Sequence, residues 1–244
     1  MKVEEIKPYG ESAETKHEQM KQAFDHIASG YDRLNRIMSL GLDVGWRRRA
    51  LGQSGLEAPE KILDVACGTG DFAIMEARRY PSAHIFGLDL SEGMLERARE
   101  KAETTGLGGQ ISFICGDALH PPFHPASFDG ISAAFGVRNF EDIRLGIKVL
   151  YNLLRPEGRL IILELSRPVR FPFNKIHALY LSHWIPWIGG RLTGCADEYR
   201  YLRDSIERVP QGEEMKAIMR DAGFREVNHT PYLWGTCSCY IGVK

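Results

Sequence analysis

The stretch "ILDVACGTGDFA", residues 62–73, constrains the fold more than any other part of the chain. A short β-branched run leads into a glycine turn and then a helical pattern, with Gly68, Gly70 and Ala73 in G-x-G-x-x-A spacing. That spacing lets the backbone turn tightly and bring its N–H groups near a ligand at a helix start. It fits a nicotinamide dinucleotide, S-adenosylmethionine or a plain tight turn. From residue 61 onward short apolar runs alternate with helical patterns, which predicts an α/β protein with a mainly parallel sheet. Expected strands are "KILDVA", "HIFGLDL", "ISFICGDA", "FDGISAAFGV" and "GRLIILEL", with terminal strand material at "REVNHTPYLW" and "TCSCYIGV". Ser91 suits a helix N-cap and Gly106 a stop, while Pro156 and Gly158 punctuate the turn before the fifth strand.

Three acids stand at the ends of the first three strands: Asp64, Asp89 and Asp117. Ligands of open α/β sheets bind at that carboxyl edge. Asp89 suits ribose hydroxyls and Asp117 an adenine amino group. Asp64 beside the glycine turn would repel a pyrophosphate and favour a ligand carrying ammonium and sulfonium charges, which is S-adenosylmethionine. Taken singly, Asp89 also suits a helix N-terminus and Asp117 a turn. Met94 and Phe135 are further cofactor-binding candidates, equally suited to packing.

Composition narrows the classes. With 244 residues, 43% hydrophobic and 26% charged, the chain reads as an ordinary soluble protein large enough for one domain over 1–244. Thirty-one basic residues against thirty-two acidic ones leave no electrostatic footprint for nucleic acid. Five cysteines (Cys67, Cys115, Cys195, Cys237 and Cys239), without a C-x-x-C pair, fit reduced thiols in a cytoplasm and no structural metal. The charged N-terminus lacks the apolar core of a signal peptide, and no run reaches membrane-spanning length. Residues 15–55 read as an N-terminal helical cover, and residues 167–209 as a lid or substrate insertion after strand five. In the insertion, Phe173, Ile176, Tyr180, Trp184 and Trp187 fall on one helical face until Pro186 disturbs it. That face suits core packing or a membrane-facing slot.

The chain resembles the class I S-adenosylmethionine-dependent C-methyltransferases of ubiquinone and menaquinone biosynthesis. The resemblance rests on "FDHIASGYDRLNRIMSLGLDVGWRR", "LDVACGTGD", "FGVRNFED", "LIILELSRP" and "DEYRYLRDSIERVPQGEEMKAIMRDAGF". It implies a doubly wound, Rossmann-like sheet of seven strands with the last antiparallel. Cofactor contacts carry over to Thr69, Asp89, Asp117 and Ala118, and quinol activation to Arg138 and Asn139. The implied cofactor is S-adenosylmethionine without a metal. The implied substrate is a prenylated quinol, demethylmenaquinol in preference to the benzoquinol precursor of ubiquinone. Peripheral contact with the inner face of the membrane follows from such a substrate, and a homodimer is compatible with it. Asp43 stands where the family's first signature carries a histidine. Other readings are a non-catalytic relative that binds cofactor or quinone, and a nicotinamide oxidoreductase. Arg138 stays protonated, so it would stabilise a phenolate rather than take a proton. His177 and His183 are conceivable bases, though more suited to packing or surface positions.

Overall fold

A computed structural model describes residues 3–10, 13–28, 30–184 and 196–244, without the side chains at 34, 184, 196, 198 and 199. Pro186, Trp187 and Cys195 therefore lie outside the described residues, as does the Trp184 side chain.

Three helices precede the sheet: α1 (Lys16–Ile27), α2 (Tyr31–Met38) and α3 (Leu42–Gln53). Thr15 caps α1 in a reciprocal box with Glu18, which satisfies two donors that a helix start otherwise leaves free. Then β1 (Lys61–Val65), α4 (Asp71–Arg79), β2 (His84–Asp89), α5 (Glu92–Thr104) and β3 (Ile111–Cys115) alternate. They are followed by β4 (Phe128–Ala134), α6 (Ile143–Leu153) and β5 (Leu154–Leu165). The insertion holds α7 (Phe173–Leu179) and α8 (Ala196–Arg208), and α9 (Glu213–Ala222), β6 (Glu226–Tyr232) and β7 (Cys237–Val243) complete the chain.

The seven strands form one sheet in the order β3-β2-β1-β4-β5-β7-β6. Pairings from β3 through β5 are parallel, while β7 runs antiparallel to both β5 and β6, as expected. The order reverses beside β1, so the ends of β1 and β4 flank a crevice where open α/β sheets bind ligands. Both faces of the sheet are covered. Alternation along β1 sends Leu63 and Val65 to one core, with Ile147 and Met219, and Ile62 to another, with Ala73 and Ile74. Each such fully buried aliphatic side chain contributes about 1.5–3 kcal/mol.

Two local expectations change. The fifth strand starts at Leu154 rather than after Gly158, because Phe128 pairs with Leu154 and the register then shifts to Gly130 with Arg159. In the insertion the α-helical period ends at Leu179 and a π-helical turn follows over Tyr180–Trp184. Of the expected apolar face, Phe173, Ile176 and Tyr180 are described, while the Trp184 side chain and Trp187 lie outside the described residues.

Candidate functional site

The first cleft, of about 750 Å³, opens at the carboxyl ends of β1, β2 and β4. Gly68 adopts φ 55° in the turn after β1, a conformation that favours a residue without Cβ. Its N–H donates to Asp89 Oδ2 at 2.8 Å, and the Ser91 N–H donates to Asp89 Oδ1 at 3.0 Å. A carboxylate offers about four acceptor sites, so Asp89 retains capacity for hydroxyl donors. Burial raises its affinity for a proton, and the backbone donors oppose that. Asp117, after β3, accepts from the Leu119 N–H at 2.9 Å.

The cleft brings together Gly68, Asp89, Met94, Asp117, Ala118, Phe135 and Asn139 from the sequence-derived set. Asp64, Thr69 and Gly70 are not among its walls. Asp64 shares the parity of Ile62, which turns it under the glycine loop toward α4. There it accepts from the Ala73 N–H at 3.0 Å and from Ser132 Oγ at 3.3 Å, and burial pushes its carboxyl up to about 7. Thr69 donates its hydroxyl to Asp32 on α2 and accepts from Lys101 at 3.0 Å. Gly70 is needed for its φ of 77°, and a Cβ there would stand 3.0 Å from Ala98 Cβ. Among the described residues, the charged ones on the walls are Asp89, Asp117 and Glu141, with His17 and neither Lys nor Arg. A pyrophosphate would meet no fixed counter-charge, whereas a cationic ligand bearing hydroxyl and amino donors fits.

Beyond β4 the chain turns sharply. Phe135 sits at φ 63°, a strained position for a residue with a side chain, and its N–H is held by the Leu163 carbonyl. At Gly136 an added Cβ would lie 2.5 Å from Ala66 Cβ, so the two loops can meet only with glycine here. Arg138 and Asn139 follow on a 3₁₀ turn, Val137–Asn139, rather than on the strand itself. Arg138 is buried; its Nη1 donates to Glu164 Oε1 at 2.7 Å and to the Phe135 carbonyl. The Arg138 N–H donates to Glu164 Oε2 at 3.1 Å, so both ends of the residue are fixed by one carboxylate. Burial works against the charge of the guanidinium, but Glu164 and its neighbours outweigh it and raise the pKa. Asn139 Oδ1 accepts from the Tyr201 hydroxyl at 3.0 Å. Lys16 donates to the Arg138 carbonyl at 3.2 Å and to the Phe140 carbonyl at 3.2 Å, tying α1 to the same turn.

A second cavity, larger and predominantly apolar, spans about 1550 Å³ including its open mouth. Its walls come from α2, α3, α7 and α8 and include Met38, Trp46, Leu165, Ile176 and Leu181, with Arg138 among them. Tyr31 and Phe135 line both cavities. Asn139 belongs to the first and Arg138 to the second, so one turn presents a polar side chain to each. Phe173, Ile176, His177 and Tyr180 also line the second cavity, whereas His183 does not.

The helices over these cavities are latched by charge. Asp43, only 3% exposed, accepts from Ser39 at 2.8 Å, from Arg47 and from Arg36. Arg36 also reaches Asp71 at 3.0 Å, and Lys101 joins Asp71 at 2.6 Å to Asp32 at 2.8 Å. The residue that departs from the family's signature is thus the centre of a buried network. Sequence reasoning missed Glu164, Tyr201 and Arg47. An acid closing the apolar run "GRLIILEL" was the available signal for Glu164; the other two depend on contacts between distant segments.

The model of the ubiE/COQ5 methyltransferase family matches residues 12–244. The chain belongs to this family. It is 41% identical to a demethylmenaquinone methyltransferase of Bacteroides fragilis over 241 residues, covering 99% of this chain and 98% of that one. It is 39% identical to a ubiquinone/menaquinone biosynthesis C-methyltransferase of Geotalea uraniireducens over 230 residues, covering 94% and 97%. Among solved structures, an S-adenosylmethionine-dependent methyltransferase from Aquifex aeolicus superposes with TM-score 0.63 at 18% identity, covering 88% of this chain and 97% of that one. The ubiE/COQ5 relationship makes this chain an S-adenosylmethionine-dependent methyltransferase, in agreement with a first cleft rich in carboxylates and without fixed cations.

Proposed function

We propose that the protein methylates a ring carbon of a polyprenylated quinol, demethylmenaquinol in preference to the benzoquinol of ubiquinone synthesis. One observation carries this reading: an apolar cavity of about 1550 Å³ meets the polar cleft at Tyr31 and Phe135, with Arg138 and Asn139 on the turn between them. A flat aromatic head with an isoprenoid tail fits the larger space; a small polar substrate would leave it unfilled. The names of the Bacteroides fragilis relative and others near 40% identity favour the naphthoquinol.

Bound S-adenosylmethionine supplies a methyl group on a sulfonium. Asp89 and Asp117 would hold its hydroxyl and amino groups, with Met94, Ala118 and Phe135 as apolar contacts and Gly68 allowing close approach. Asp64, Thr69 and Gly70 would shape the loop from beneath rather than line the cleft. The chain must then raise the nucleophilicity of the ring carbon and keep bulk water out. Arg138 donates to the developing phenolate oxygen from a position fixed by Glu164, and Asn139, oriented by Tyr201, offers its amide donors beside it. Residues 15–55 act as a cover and the described part of 167–209 as the wall of the prenyl slot. An exposed apolar rim of Val169, Phe171, Ile176, Leu179 and Trp234 suits peripheral docking on a bilayer, from which such a substrate would enter. No helix among the described residues is long and apolar enough to cross a membrane.

Labelled methyl transfer to demethylmenaquinol and to the benzoquinol, measured side by side, tests the assignment. Preferential labelling of the naphthoquinol is expected; labelling of neither would overturn it.

A further inference from the structure

A second buried guanidinium stands in the apolar cavity. Arg47, on α3, is 7% exposed and lines the same space as Arg138. Its guanidinium carbon lies 4.9 Å from the centroid of the Phe135 ring, the residue whose carbonyl accepts from Arg138. Each guanidinium gives Nη1 to a carboxylate, Asp43 for Arg47 and Glu164 for Arg138. Among the described residues, neither Nη2 has a protein acceptor, which leaves it as the donor open to the cavity, whereas Nε of both is sealed off without a partner. Buried donors left without acceptors are uncommon and call for a cause. Two guanidinium groups lining one predominantly apolar space, one over the Phe135 ring and the other at the Phe135 carbonyl, match a flat ligand that carries two separated oxygens. Asp43 already balances much of the charge of Arg47, so a hydroxyl suits it better than a carboxylate.

We propose that Arg47 binds the distal hydroxyl of the quinol ring, while Arg138 takes the hydroxyl beside the carbon that is methylated. This rests on the quinol reading above and extends it with a specificity residue. A ring lacking the distal hydroxyl leaves the donors of Arg47 unpaired, which a site built for that hydroxyl penalises. Loss of the distal hydroxyl leaves the chemistry possible, because the hydroxyl adjacent to the reacting carbon still activates it.

The test compares a short-chain demethylmenaquinol with the corresponding naphthol that lacks only the distal hydroxyl, using the full chain with saturating S-adenosylmethionine. Wild-type protein should show a KM for the naphthol about tenfold or more above that for the quinol, the size of a charge-assisted hydrogen bond. In Arg47→Gln the two KM values should converge, through a rise for the quinol, with cofactor affinity by calorimetry held within about twofold. Asp43→Asn, which loosens the latch but keeps Arg47, should retain the wild-type ratio. If Arg47→Gln does not fold, Arg47→Lys serves: its single nitrogen remains with Asp43, and the ratio should again fall toward one. A ratio unchanged in the Arg47 variants would overturn the proposal. So would a loss confined to cofactor affinity, which would put Arg47 on the methyl donor instead. Wild-type protein that methylates neither ring would overturn the quinol reading itself.

Discussion

Arg138 and Glu164 form a buried ion pair of 2.7 Å between the turn after β4 and the end of β5. Glu164 also accepts from the N–H groups of Arg138 and Leu165, and among the described residues it is the carboxylate paired with that guanidinium. Removing one member of such a pair strands the other charge away from water. Glu164→Ala should therefore destabilise the protein by about 3–5 kcal/mol in urea unfolding. A loss below about 1 kcal/mol would show that Arg138 does not depend on this partner.

Tyr201 acts on the site through Asn139. Tyr201→Phe keeps the buried ring and removes the 3.0 Å hydrogen bond, so stability should fall by only about 0.5–1.5 kcal/mol. Methyl transfer should suffer in kcat while cofactor affinity holds. Unchanged kcat would separate Tyr201 from the orientation of Asn139.

Glu76 lies fully buried on α4, and among the described residues neither carboxylate oxygen has a partner at hydrogen-bond geometry, Ser132 being the neighbouring hydroxyl. Burial, with nearby Asp64 adding to it, raises its carboxyl well above the ordinary 4.5. Between those values the unfolded chain has released a proton that the folded chain keeps, so rising pH weakens the wild type through that window. Glu76→Gln removes this liability. Its stability relative to wild type should grow from pH 4.5 upward, by at most about 1.4 kcal/mol per pH unit for one proton. Parallel denaturation series at pH 5 and pH 8 would detect the trend, and a difference that stays flat would refute it.

Asp43 joins α2 to α3 through Arg36, Ser39 and Arg47. Asp43→Ala should loosen the cover locally, with faster amide hydrogen exchange across residues 31–53 and slow exchange retained in β1 and β4. Uniform acceleration across the sheet would mean that the network supports the whole fold instead.

Val169 and Phe171, 78% and 74% exposed, flank the start of α7, while Trp234 stacks on Phe173 at 4.3 Å with its ring still largely in solvent. Replacing Val169 and Phe171 with Ser should lower co-flotation with anionic liposomes and leave methylation of a short-chain, detergent-dispersed quinol intact. Equal flotation of both proteins would rule this rim out as the docking surface.

Much of this architecture was legible locally. The glycine turn, the cap at Ser91 and the acids Asp89 and Asp117 follow from residues close in sequence, whose periodicity and turn chemistry act within a few positions. The strand-end position of Asp64 did not reveal its direction, because strand alternation turns the side chain toward α4. Glu164 was hidden in a strand that otherwise read as core.

The sequence by itself determined the α/β class, the glycine turn after the first strand and the place of Arg138 and Asn139 just past a strand end, since each is written in a short contiguous pattern. Only the tertiary structure decided which cavity each member of that pair serves and what holds it. It also decided that Asp43 latches the cover and that Arg47 lines the same cavity as Arg138. Those relations join segments up to more than a hundred residues apart, as Lys16 joins Arg138. They exist only once packing of the sheet has brought its strand ends and covering helices together, and no local pattern encodes that meeting.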